Sequence, residues 1–134
     1  MKFLLDTNAL SELSKPIPFP QLLEWLDTHE PETAISSVSI GELALGIERL
    51  PESKRRRELA RTFGFLREDY GGKILNFTEG VAIEWARLVA KAQKHGHNLS
   101  ALDSQIEATA VHFGLTVVTR NEKDFFHPVF NPWK

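Results

Sequence analysis

The sequence predicts an α/β fold with a mostly parallel central sheet flanked by helices. Three observations carry this. Four short apolar or β-branched runs, Phe3–Leu5, Thr33–Ser36, Ile74–Phe77 and Leu115–Thr119, have the length of strands. Stretches with helical apolar spacing separate them, and this alternation is the mark of a parallel sheet. The two clearest strands, the first and the last, each run straight into a polar turn bearing an acid.

Phe3–Leu5 reads as a buried strand ending on Asp6. Thr7 or Asn8 is expected to cap the helix that carries Leu10 and Leu13. Three prolines in Lys15–Pro20 break the pattern, since proline cannot sit in a helix interior. Helical spacing resumes over Gln21–His29 with Leu22, Leu23, Trp25 and Leu26. After the strand Thr33–Ser36, one of Ser36, Ser37 and Ser39 caps a helix over about Val38–Leu50. Ile40, Leu43, Ile47 and Leu50 share one face of it, with Glu42 beside that stripe. Gly41 and Gly46 suggest close packing against another backbone.

Pro51 opens the most basic segment, Lys54–Arg57, continued by Arg61 and Arg67 around an apolar stripe of Leu59, Phe63 and Leu66. This is a surface helix ending near Tyr70-Gly71-Gly72. Thr78 caps the next helix, whose inner face carries Val81, Trp85, Leu88 and Ala92 and which stops at His95-Gly96-His97. Ser100 and Asp103 open the last helix, with Leu102, Ile106, Ala110 and Phe113 expected inward and Gly114 ending it. Beyond Asp124, Pro128 and Pro132 leave the tail irregular or an edge strand, and Trp133 is expected to pack on the sheet edge.

The bulk properties narrow the function. A chain of 134 residues suits a single domain over residues 1–134. It has no cysteine, so disulfides and thiolate metal sites are excluded. The apolar start is too short for a signal peptide and no apolar run reaches membrane-spanning length, so a soluble cytoplasmic protein without a membrane partner is expected. The net charge is −2, whereas a protein that held nucleic acid by bulk electrostatics would be basic. A nucleic-acid role therefore needs a local patch, or a metal that offsets clustered acids.

Such a cluster is legible. Asp6 ends the first strand, Asp124 lies just past the last, and Glu42 and Asp103 sit early on helices beside apolar stripes. In a parallel sheet, strand C-termini and helix N-termini share one edge, where ligands bind. Four acids there would repel and hold one another's pKa up unless a cation neutralised them. Mg²⁺ or Mn²⁺ is the natural partner, being hard and oxygen-seeking. Such an ion activates water and stabilises charge on phosphoryl oxygens, which points to phosphodiester hydrolysis.

Leu5-Asp6-Thr7-Asn8, Ser36–Leu43, Leu102–Ala110 and Val118–Phe125 together resemble the motifs of PIN-domain ribonucleases, in order and at family spacing. The chain looks most like the VapC/FitB toxins of bacterial toxin–antitoxin pairs. The resemblance implies a PIN-like fold and a Mg²⁺- or Mn²⁺-dependent endoribonuclease acting on structured RNA of the tRNA or rRNA class. It also implies a cognate antitoxin, a homodimer or larger toxin–antitoxin assembly, and DNA reached only through the antitoxin. Asp6, Glu42, Asp103 and Asp124 match the family's acidic quartet. Thr7, Asn8, Thr119 and Asn121 match its supporting polar residues.

Each pick has a plainer reading. Asp6 and Asp103 could be helix caps, Glu42 a first-turn acid favoured by the helix dipole, and Asp124 and Asn121 turn formers. The Lys54–Arg57 run is either a solvated helix face or a phosphate- or antitoxin-contacting patch. Arg87 is either solvated or turned toward substrate phosphate. The five histidines lack zinc-site spacing. A phosphoacceptor domain needs a second acid beside Asp6 and a lysine after the last strand, and a haloacid-type phosphatase needs Asp-x-Asp; neither is present, nor is a Walker loop. The remaining rival is a non-catalytic binding module that acts by complex formation and antitoxin-mediated operator DNA binding.

Overall fold

A computed structural model describes residues Met1–Lys134. The strands β1 (Phe3–Leu5), β2 (Thr33–Ser36), β3 (Ile74–Leu75) and β4 (Thr116–Val118) form one sheet in the order β3-β2-β1-β4. Every pairing is parallel. The helices are α1 (Thr7–Leu13), α2 (Pro20–His29), α3 (Ser37–Glu48), α4 (Lys54–Asp69), α5 (Glu79–Lys94) and α6 (Ala101–Phe113).

Successive strand residues face opposite sides, so a parallel sheet with both faces covered needs apolar residues at every position. The register meets this need. Leu5 pairs with Ile35 and Val118, and these three join Ala9 and Leu10 of α1 and Leu22 and Leu26 of α2 in one core. Leu4 pairs with Ala34 and Val117, and these meet Ile106 and Ala110 of α6 on the other face. Val81 and Leu88 of α5 close over Ala108 of α6 in a third cluster.

The helix boundaries follow from local chemistry. Ser36 caps α3 by accepting from the Val38 amide, Ser53 caps α4 through Arg56, and Thr78 caps α5 through Val81. Gly114 ends α6 in the left-handed region at φ 69°, where a side chain would be strained. The His95-Gly96-His97 stop after α5 works the same way, with Gly96 at φ 77°. In the basic run, Arg56 pairs with Glu48, Arg57 with Glu52 and Lys54 with Glu58, so most of its charge is balanced on the surface of the same chain. Arg87 is exposed on α5.

Four expectations are corrected. First, neither Thr7 nor Asn8 caps α1; Asp6 does, and Thr7 is the first helical residue. Second, β3 is shorter than Ile74–Phe77, because the Phe77 amide leaves the ladder and donates to the Ser37 hydroxyl at 3.0 Å. Third, Gly41 and Gly46 pack against no backbone: a methyl group at either would meet nothing within 4 Å. Both are exposed on α3. Fourth, Leu102 and Phe113 are 44% and 45% exposed instead of inward. Three-residue strands cover about 10 Å while a thirteen-residue helix is about 20 Å long, so the ends of α6 project past the sheet. The tail is as expected, irregular except for a parallel bridge between Phe130 and Val118 at the sheet edge beside β4. Trp133 stacks on Phe19 there, with ring centroids 6.3 Å apart.

Candidate active site

β1 delivers Asp6 to the C-terminal rim of the sheet. Its Oδ1 accepts the Ala9 amide at 2.8 Å, capping α1, and the residue is only 2% exposed. Burial pushes its carboxyl up to about 6; the nearby Thr119 hydroxyl and the Ala9 amide pull it back, and the charges of Asp103 and Glu42 push it further up. Asp6 is thus both a cap and an acid held at the edge of ionisation.

Because Asp6 takes the cap, the Thr7 side chain is free to reach α3. Its hydroxyl donates to Glu42 Oε1 at 2.6 Å and lies 3.0 Å from the Ser39 hydroxyl. This ties the helix after β1 to the helix after β2 at the rim. Glu42 is half-buried, and Asn8 is exposed on the first turn of α1.

α6 runs back from this rim toward the start of β4, so its N-terminus also faces the site. Ser100 caps it: the Asp103 amide donates to Ser100 Oγ at 3.3 Å, and that hydroxyl donates to Asp103 Oδ2 at 2.9 Å. The cap and ligand readings of Asp103 are compatible, because Oδ1 stays outside this exchange. Burial raises the Asp103 carboxyl, the Ser100 hydroxyl lowers it, and Asp124 and Glu107 raise it again.

Asp124 is exposed, at the end of a single helical turn, Glu122–Asp124. Thr119 is fully buried and its hydroxyl accepts the Asn121 amide at 3.0 Å, which shapes that turn. Asn121 is exposed and contributes its backbone. The electrostatics link Asp6 to Asp103 and Glu42, and Asp103 to Asp124. All four acids therefore belong to one rim. They do not close on a point, since no three acidic or histidine side chains stand at metal-ligand spacing.

The donor set still suits a hard divalent cation. It is all oxygen, two of its acids are held above the ordinary carboxylate range, and Mg²⁺ is commonly bound by one or two carboxylates with water completing the shell. Protein bonds engage Glu42 Oε1 and Asp103 Oδ2, leaving the second oxygen of each available. Chemically, such a rim can polarise a phosphate oxygen and hold a water beside it.

Two contributors escape the sequence reading. Ser39 is fully buried against Thr7, one turn before Glu42. Glu107 is 1% exposed and binds the chain after Asp124. Its signal was an acid four residues after Asp103, between the inward positions Ile106 and Ala110. A groove of about 780 Å³ lies between α1, α3 and α4. It meets the rim only at Thr7 and Glu42, and Leu10, Leu43, Ile47 and Phe63 make much of its wall.

Comparison with known proteins gives the family. The PIN domain model matches residues 3–129. Toxin FitB of Neisseria gonorrhoeae is 38% identical over 97% of both chains, and VapC ribonuclease Y4jK of Sinorhizobium fredii is 34% identical over 97% of this chain and 96% of its own. The crystal structure of FitAcB from Neisseria gonorrhoeae superposes with a TM-score of 0.90 at 36% identity, covering 98% of each chain. A toxin–antitoxin complex from Klebsiella pneumoniae does so at 0.71 and 27% identity, again over 98% of each. With the acids of its rim in place and the match running through nearly the whole sequence, this chain belongs to the PIN-domain family.

Proposed function

We propose that the protein is a metal-dependent endoribonuclease toxin, hydrolysing phosphodiester bonds in structured RNA of the tRNA or rRNA class and neutralised by a cognate antitoxin. One observation carries the reading. Acids from four separate parts of the chain lie along one sheet rim, and one of them, Asp6, is buried with its carboxyl pushed up to about 6. A fold tolerates that cost where the acids are put to use. Relatives named a toxin and a ribonuclease support the same reading.

Mg²⁺ or Mn²⁺ would be held by Asp6, Glu42, Asp103 and Asp124, one or two of them directly and the others through bound water. Bound there, the ion would supply Lewis acidity and a more acidic water. The chain's own part is positional. Thr7 fixes one oxygen of Glu42, Ser100 fixes one of Asp103, and Thr119 shapes the turn that carries Asp124. Asn8 and Asn121 are exposed at the rim and offer amides to phosphate or water.

The antitoxin belongs to the same reading, supported by the Klebsiella pneumoniae toxin–antitoxin complex. DNA contact would run through the antitoxin, since a chain of net charge −2 has no bulk attraction for a duplex. We include a homodimer, for which Leu45 and Phe65, 47% and 58% exposed on α3 and α4, leave apolar surface. A cytoplasmic location goes with this reading; no helix is long and apolar enough to cross a membrane. The apolar groove beside Glu42 favours a second reading, a binding module acting through its partner.

Cleavage of total cellular RNA, with Mg²⁺, with EDTA and with Asp6→Asn, separates the two. Discrete Mg²⁺-dependent cuts with 5′-phosphate ends, absent in the variant, are expected. Cuts that persist in a folded Asp6→Asn protein, or that survive EDTA, would overturn the nuclease assignment. No cleavage at all would favour the binding module.

A further inference from the structure

Glu107 is the most buried acid of the chain, yet it lies outside the quartet. A carboxylate so placed is costly unless its oxygens are bonded. Here they are. Oε1 accepts the Phe126 amide at 2.9 Å; Oε2 accepts the His127 amide at 2.7 Å and stands 2.6 Å from His127 Nδ1. These groups begin two residues after Asp124, past the buried Phe125. The Asp124 turn is therefore pinned at both ends, by the Thr119 hydroxyl before it and by Glu107 after it. Glu107 is also one helical turn from Asp103 on α6.

Building on the proposed nuclease reading, we propose that Glu107 is a positioning residue. It clamps the chain after Asp124 to α6, so that one rigid helix sets the spacing between Asp103 and Asp124. A helix with an acid in its first turn and a clamp one turn later transmits position without a flexible joint. A carboxylate on an exposed turn has no such guide of its own, and Asp124 is exposed. An apolar residue at 107 would leave the Phe126 and His127 amides without the acceptors they have here.

The test uses the full chain and Glu107→Gln, which keeps the shape while offering one acceptor oxygen where two worked. Mn²⁺ affinity is measured by calorimetry, and exchange of the Phe126 and His127 amides by NMR. The expected result is faster exchange at those two amides and Mn²⁺ binding weakened about 10-fold, the scale seen when partners behind metal ligands are lost. In the Asp124→Asn background, Glu107→Gln should add little further weakening, because it acts through Asp124. A merely structural clamp would lower the melting temperature and leave Mn²⁺ affinity unchanged. That outcome, unaltered amide protection, or full additivity with Asp124→Asn would each overturn the proposal. Should Glu107→Gln fail to fold, Glu107→Asp keeps both oxygens but shortens their reach and should loosen the same two amides; unchanged protection there would overturn it equally. Failure of the nuclease reading shows instead in the unmodified protein, as no Mn²⁺ binding and no RNA cleavage.

Discussion

Replacing Asp6 by asparagine should abolish cleavage and at the same time stabilise the protein. In the folded state this carboxyl rises from 3.8 to about 6, because it is buried and faces Asp103 and Glu42. Ionising it at neutral pH therefore costs folding about 3 kcal/mol. The sign follows from the raised folded-state value. The cost is full above about pH 6 and vanishes below 3.8, where both states are protonated. Asparagine carries no charge and caps a helix as well as aspartate, so the bond to the Ala9 amide survives. After the cost of burying an amide, a net gain of about 2 kcal/mol is expected at pH 7.5 in EDTA. With a slope of about 1.5 kcal/mol per molar urea, the unfolding midpoint should rise by about 1 M. At pH 4.5 the carboxylate cost is about 1 kcal/mol, so the gain should shrink accordingly. A folded Asp6→Asn protein that is less stable than the parent at pH 7.5, or whose gain is the same at both pH values, would refute the electrostatic account of the rim.

Other outcomes follow from the same geometry. Millimolar Mn²⁺ should raise the melting temperature of the parent and leave Asp6→Asn nearly unmoved, as differential scanning fluorimetry would show. Thr7→Val removes the donor to Glu42 Oε1; cleavage should fall about 10-fold while stability changes by about 1 kcal/mol, and an unchanged rate would argue that Glu42 needs no such anchor. Leu4→Ala empties the centre of the sheet's α6 face, where Leu4 is fully buried, and should cost about 3 kcal/mol in urea unfolding.

Much of the fold was legible because its signals are local. The strands at Phe3–Leu5 and Thr33–Ser36 stand where short apolar runs meet turn residues, and the stops at Gly96 and Gly114 need only a backbone that accepts positive φ. The rim was legible for a related reason: in a parallel sheet, an acid placed just after a strand has one edge to go to. Asp6 and Asp124 could be assigned to it before any distance was known.

What the chain could not disclose by pattern is decided by contacts between distant residues. That Asp6 caps α1 depends on β1 pairing with both β2 and β4, which fixes where the strand ends. Thr7 reaches Glu42 only because the helices after β1 and β2 meet at the rim, 35 residues apart in sequence. That Gly41 and Gly46 meet open space depends on where the other helices pack against α3. Glu107 read as one more helical acid until the tail folded back and placed two amides and an imidazole on it. Propensity and periodicity are written in neighbouring residues, so the sequence by itself determined the elements, their order and the acids they carry. Burial and the partner of each polar group depend on residues brought together from afar, and these only the tertiary structure decided.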